Sequence, residues 1–276
     1  HMFSSKNDFW KYGCVLQIAA AFCSFANQMS AQTILYFFCA ESFSNRNEVF
    51  MHNPIKDLSG KEWLLWLGSL AIVILSNVLS GDVDYLTLTA ACVGITSLIF
   101  AAKGNVWAQI LMILFSILYG IISWRFRYWG EMITYLGMTM PMAIWSTITW
   151  IKNPAGNGKE VAIQKLQKKH ITGLIFFTIL TTGIFYVILR MLRTPNLLFS
   201  TISVTTSFLA ASLTMLRSSY YALGYASNDI VLIVLWIFAS IKNPAYIPVA
   251  VNFAIFFFND MYGFLSWRKR EHACQI

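Results

Sequence analysis

Two Asn-Asp pairs, Asn228-Asp229 and Asn259-Asp260, stand inside strongly apolar runs, where carboxylates and carboxamides are costly and normally face a protein interior. Asn252 lies seven residues before Asn259 and shares its helical face. Groups of this kind hold a ligand by hydrogen bonds and charge rather than by covalent chemistry. Lys103 and Arg217 are the basic residues nearest the middle of either half, and both fall at the ends of apolar runs, so no Arg cluster stands ready for phosphate. A neutral or cationic polar ligand fits this set. The same carboxyls also suit plain hydrogen bonding between helices, or pairing with Arg217 near a helix end.

Residues 135–152 and 252–269 read as two copies of one helix. At a constant offset Trp150 falls on Trp267, Lys152 on Lys269, Trp145 on Tyr262, Ser146 on Gly263, Met142 on Asn259 and Tyr135 on Asn252. Tyr135, Thr139, Met142, Ser146 and Thr149 form a stripe at helical spacing, and Gln109, Ser116, Gly120 and Ser123 form a weaker one. Small residues in the second stripe equally suit close helix packing, whereas the Gln109 amide needs a partner. Tyr221, Tyr225, Trp145 and Tyr262 lie close to the polar stripes. Their rings suit stacking on a flat ligand, and a cationic ring gains cation–π attraction of about 0.5–2 kcal/mol.

Other chemistry is poorly supplied. The cysteines form no C-x-x-C pair, the four histidines lie outside the apolar runs, and no H-E-x-x-H, Walker loop or G-x-S-x-G string occurs. The expectation is no metal, no cofactor and no catalysis.

The elements that must position these residues are membrane helices. The chain is 57% hydrophobic and 12% charged, outside the range of soluble domains. The opening His1-Met2 reads as a cloning remnant, and no basic, short apolar, small-residue order marks a signal peptide. Seven runs suffice to cross a bilayer, at 85–102, 106–124, 131–151, 171–192, 197–216, 220–241 and 245–267. They imply an all-α polytopic membrane protein with a three-plus-one-plus-three layout. The N-terminal extension is 1–84, the first three-helix bundle 85–151, the basic connector 152–170, the linker helix 171–192, the second bundle 193–268 and the tail 269–276. An odd number of helices per unit, with one linker helix, makes the repeats parallel. In the extension, Trp63–Ser80 suits a span or an interfacial helix, and Cys14–Ala40 a short span or an amphipathic helix. The lysines of the connector, with Lys103, Arg217 and Arg268–Arg270, place that side and the C-terminus in the cytoplasm.

The string WGEMITYLGMTMPMAIWSTITW, with Gly130-Glu131-Met132, Pro141-Met142 and Trp150, resembles the third core helix of PnuC-type transporters. YALGYASNDIV at Tyr221–Val231, then Tyr262-Gly263 and Trp267, resembles that family's later helices, and the likeness covers about residues 85–270. Membership implies a nicotinamide riboside (vitamin B3) transporter of the bacterial inner membrane, with two three-helix bundles around a linking helix and a fold related to SWEET proteins. It further implies facilitated diffusion, trapping of the riboside by a cytosolic kinase, and a homo-oligomer, a trimer, in membrane lipid. The ligand's cationic pyridinium, carboxamide and ribose hydroxyls suit Gln109, Asn228, Asn252 and Asn259 as hydrogen-bonding groups. Tyr135, Trp145, Tyr221, Tyr225 and Tyr262 complete the candidate set, with Asp229 and Asp260 facing the positive charge. Ser146-Thr147 and Tyr225 depart from the family, whose other members carry thiamine, riboflavin or nucleosides. The alternatives are a proton-coupled vitamin, nucleoside or sugar transporter with Asp260 as the titrating group, a vitamin-processing membrane enzyme, and a membrane receptor without flux.

Overall fold

The computed structural model describes residues 54–79, 83–126, 128–156, 158–194 and 196–273. The helix expected at Cys14–Ala40 lies outside them. The described residues form helices α1 (Gly60–Leu79), α2 (Tyr85–Lys103), α3 (Trp107–Arg125), α4 (Trp129–Thr134), α5 (Met140–Lys152), α6 (Lys168–Met191), α7 (Leu197–Met215), α8 (Tyr221–Lys242) and α9 (Ile247–Ala273). A π-helical segment, Tyr135–Thr139, joins α4 to α5. No strand occurs among the described residues, only an isolated bridge between Pro154 and Val161. Seven of these helices are long and apolar enough to cross a membrane. The α4–π–α5 unit is interrupted, and it occupies the run expected at 131–151.

Hydrocarbon offers a helix end no hydrogen bonds, so each end must find partners in the protein. Asp84 caps α2 by accepting from the Leu86 amide and the Thr87 hydroxyl, and pairs with Arg125 at 3.1 Å. Burial pushes its carboxyl up, but these hydrogen bonds and the Arg125 charge outweigh that and hold it below the usual carboxylate range. At the other end of α2, Gly104 takes a left-handed turn (φ 71°), and the amides of Gly104 and Asn105 return to Ala101 and Phe100. The end of α7 repeats this pattern at a constant offset. Arg217 adopts φ 53°, and the amides of Arg217 and Ser218 return to Thr214 and Leu213.

The two ends are then tied crosswise. The Trp267 indole of α9 donates to the Ala101 carbonyl (2.8 Å), and Ser266 donates to Ala102 (2.9 Å). In the matching positions the Trp150 indole of α5 donates to Thr214 (3.0 Å), with Thr149 near Met215 (3.4 Å). Both indoles are fully buried and their rings touch, 5.6 Å between centroids. The connector straps the same end, because Val161 donates to the Gly104 carbonyl and Gln164 to that of Arg217. The Trp150–Trp267 alignment seen in the sequence, at the offset that also sets Thr149 on Ser266, therefore matches equivalent hydrogen bonds.

Packing follows from these ties. α8 lies between α7 and α9, α2 packs on α3 and α9, and α6 packs on α7. Gly224 lets α8 approach α7, since a Cβ there would sit 2.9 Å from the Ala210 backbone. α6 turns Ile175, Phe176, Phe177 and Ile179 outward, as a lipid-facing helix does. α1 packs on α2 and α9 through one stripe. Its Glu62 accepts from Tyr262 (2.9 Å) and pairs with Lys103 (3.1 Å), Trp66 donates to Thr96 (3.2 Å), and Ser69 accepts from Asn259 (2.9 Å). Lys103, Arg217, Arg270 and the connector share one end, where Arg270 bonds Glu160 and Arg217 bonds Gln164.

Trp150→Phe and Trp267→Phe should each destabilise the protein by about 1 kcal/mol through a lost buried hydrogen bond. Because the rings touch, the double variant should depart from additivity by at least about 0.5 kcal/mol in a thermal-unfolding cycle in detergent. Strictly additive losses would show that the two crossed ties do not form one unit.

Candidate functional site

Pro141 shapes the helix nearest the site. It has no amide hydrogen, and in a regular helix its ring would press on the Gly137 carbonyl. The chain widens instead into the π-turn Tyr135–Thr139, in which the Met140 amide returns to Tyr135. Tyr135 and Thr139, at the two ends of that turn, both line a central cavity.

The cavity, of about 30 Å³, lies among α2, α3, the π-turn, α7, α8 and α9. Asn228, Asp229, Asp260, Ser207, Thr139, Tyr135 and Tyr225 form its polar wall, and Phe115, Phe253, Phe256, Met112, Leu98 and Gly94 its apolar wall. The Asp229 and Asp260 side chains are neighbours on this wall. Asn228 is fixed by α7, since its Oδ1 accepts from Thr206 (2.9 Å), Ser207 (3.0 Å) and Ser203 (3.3 Å). Those hydroxyls stand at 203, 206 and 207, one face of the helix. They leave the Asn228 amide hydrogens for other partners, with Tyr135 beside it on the cavity wall. Two buried lining atoms, Thr139 Oγ1 and Asp229 Oδ2, have no hydrogen-bond partner, and such atoms call for a ligand or water.

An aromatic cluster closes the cavity toward the Asp84–Arg125 end. Phe115 touches Tyr119, Tyr135 and Phe256, and Tyr119 is held by the Trp236 indole at 2.8 Å. Beyond Phe115, Phe253 and Phe256 lies a smaller cavity of about 10 Å³, lined also by Thr87, Tyr119 and Asn252. The central cavity holds a water or two, whereas pockets for small organic ligands run to roughly 300 Å³ or more. As it stands the central cavity is too small for an organic ligand, so admitting one there requires lining side chains to move.

The predicted residues divide. Tyr135, Tyr225, Asn228, Asp229 and Asp260 meet at the cavity. Asn252 lines the smaller cavity, with its Oδ1 unpartnered. Asn259 turns to α1, donating to Ser69 and to the Ile255 carbonyl (2.9 Å each). Tyr262 is engaged by Glu62, and Tyr221 packs on Trp267 with centroids 4.6 Å apart. Gln109 is buried and Trp145 half-buried, and neither lines either cavity. Arg217 bonds the connector. Sequence reasoning passed over Ser207 and its neighbouring hydroxyls, Phe115, Phe253 and Met112. The 203–206–207 spacing was a readable signal, but hydroxyls are common in membrane helices.

Comparison with known proteins agrees with this architecture. Residues 84–269 match the family model described as nicotinamide mononucleotide transporter. The nicotinamide riboside transporter PnuC of Neisseria mucosa is 27% identical over 222 residues, 77% of this chain and 82% of that protein. The protein of the same name from Haemophilus influenzae is 22% identical over 208 residues, 75% and 89% of the two chains. A crystal structure of the vitamin B3 transporter PnuC superposes with a TM-score of 0.67 at 22% identity, covering 83% of this chain and 97% of that one. With a family model spanning most of an all-helical, membrane-suited chain, the protein belongs to the nicotinamide mononucleotide transporter family and is a membrane transporter, not an enzyme.

Proposed function

We propose that this protein carries nicotinamide riboside across a bacterial inner membrane by facilitated diffusion, with phosphorylation in the cytosol trapping the product. The observation that carries this reading is the central cavity, where two neighbouring carboxyls and a fixed carboxamide face aromatic rings and no basic side chain takes part in the lining. The two neighbouring carboxyls set negative charge where a pyridinium would sit. The Asn228 amide hydrogens suit the carbonyl of the carboxamide or the ribose oxygens. Tyr135, Tyr225 and the phenylalanines offer faces to the ring. A phosphate would enter a wall of carboxyls without Arg or Lys, so the riboside fits better than the mononucleotide of the family's name. The names of the Neisseria and Haemophilus relatives point the same way.

The helix order supports two parallel three-helix units, α2 to α5 and α7 to α9, joined by α6 as linker, a layout like that of SWEET proteins. The basic end, with the connector and C-terminus, is assigned to the cytoplasm. Assembly is as a homotrimer in the lipid. In each half-cycle the units rock about the cavity while the aromatic cluster opens on one side.

Proteoliposomes decide the mechanism. Uptake of labelled riboside down its gradient should proceed without ATP and persist when an uncoupler collapses the proton gradient; uptake that stops on collapse would instead make Asp260 part of a proton-coupled carrier. Asp229→Asn and Asp260→Asn should each weaken riboside binding about tenfold or more, by loss of the counter-charge. Ser207→Ala, which frees the Asn228 amide, should weaken it roughly two- to tenfold with little effect on the unfolding midpoint. Unchanged affinity in all three variants would remove the cavity from the ligand's path.

A further inference from the structure

Glu131 takes no part in the central cavity, yet it is only 1% exposed and neither carboxyl oxygen has a hydrogen-bond partner. It precedes Tyr135 by one helical turn, so the two side chains follow each other along one face toward the cavity. Ser203 of the packed helix α7 is a neighbour of Glu131 and donates to Asn228 Oδ1 at 3.3 Å, so it stands between Glu131 and the cavity wall. Tyr119 from α3, Tyr128 before α4 and Tyr135 surround the carboxyl. At the same end Ser123 Oγ and Thr194 Oγ1 are also buried without partners, and Thr194 packs on Gly130. None of the ion pairs among the described residues includes Glu131. With neither oxygen hydrogen-bonded and no ion pair made, the carboxyl lacks partners that a passing cation with hydrogen-bond donors would supply.

We propose that Glu131, with Ser203, forms an outer cation station, a second contact that receives a positively charged, flat, hydrogen-bonding ring between the Asp84–Arg125 end of the protein and the central cavity. The proposal rests on the transport reading above and adds a stage to it. Asp229 and Asp260 hold the cation at the centre, and Glu131 recognises it on the way, beyond the Phe115–Tyr119–Tyr135 cluster. Its role is therefore selection by charge during passage.

The test compares two ligands of nearly one shape, nicotinamide riboside and its dihydro form, in which an added hydride abolishes the ring's positive charge. Initial uptake rates of each into proteoliposomes are measured for the unaltered protein, Glu131→Gln and Glu131→Asp, with size-exclusion profiles and unfolding midpoints recorded in parallel. Glu131→Gln should lower the cation-to-neutral rate ratio about tenfold, as the loss of one charge-assisted hydrogen bond would. Glu131→Asp, which keeps the charge on a shorter arm, should lower it less. Equal slowing of both ligands, or no slowing of either, would overturn the proposal and leave Glu131 a packing residue. If Glu131→Gln fails to fold, Glu131→Asp decides alone, and an unchanged ratio in that variant overturns the station. Failure of the unaltered protein to carry the riboside would instead overturn the transport reading itself.

Discussion

A bilayer gives polar groups no alternative partners, and the crossed indole bonds meet that constraint where two helices end inside the protein. The last carbonyls of α2 receive Trp267 and Ser266 from α9, and those of α7 receive Trp150 and Thr149 from α5. Each tie joins one half of the chain to the other, and the Trp150 and Trp267 rings meet between them. The connector closes over both ends. The remaining helices are positioned relative to this knot, so the helices around the central cavity are pinned at the connector end, while the opposite end is closed mainly by aromatic rings.

The same near-symmetry explains the cavity's uneven walls. Equivalent positions of the two halves line it together, Gly94 with Ser207, Met112 with Tyr225, Phe115 with Asn228 and Thr139 with Phe256. In three of these pairs the second half supplies the more polar group, and in the fourth the order reverses. A symmetric frame therefore presents a polar face to one side of a ligand and an apolar face to the other. A nucleoside has that division, with a hydroxylated sugar and a flat ring. Ser203, Thr206 and Ser207 fix the Asn228 carboxamide, because three hydroxyls on its oxygen leave the amide hydrogens for other partners.

Much of this was legible in the chain. Apolar runs of bilayer length located the helices, because internal backbone bonding in lipid demands such runs. The Trp150–Trp267 alignment marked a repeat whose two copies make equivalent hydrogen bonds, and Asn228, Asp229 and Asp260, read as polar groups facing the interior, line the cavity. Helical spacing tells which residues share a face but not which neighbour that face meets. Asn252 and Asn259 share a face of α9, yet one reaches the smaller cavity and the other meets Ser69 of α1. Tyr262 likewise turned to Glu62, a residue in the extension with no motif to mark it. The π-turn before Pro141 was hidden for another reason. A proline in an apolar run signals a disturbance, but whether the helix kinks, ends or widens depends on what packs around it.

The central claim is that this cavity takes a nucleoside carrying one positive charge and no phosphate. Calorimetry on the detergent-purified protein, titrated separately with nicotinamide riboside, its 5′-phosphate, thiamine and riboflavin, tests it most directly. The account predicts saturable binding of the riboside, with the phosphate at least about tenfold weaker for want of a basic partner. Equal or tighter binding of the phosphate, or preference for another vitamin, would contradict it.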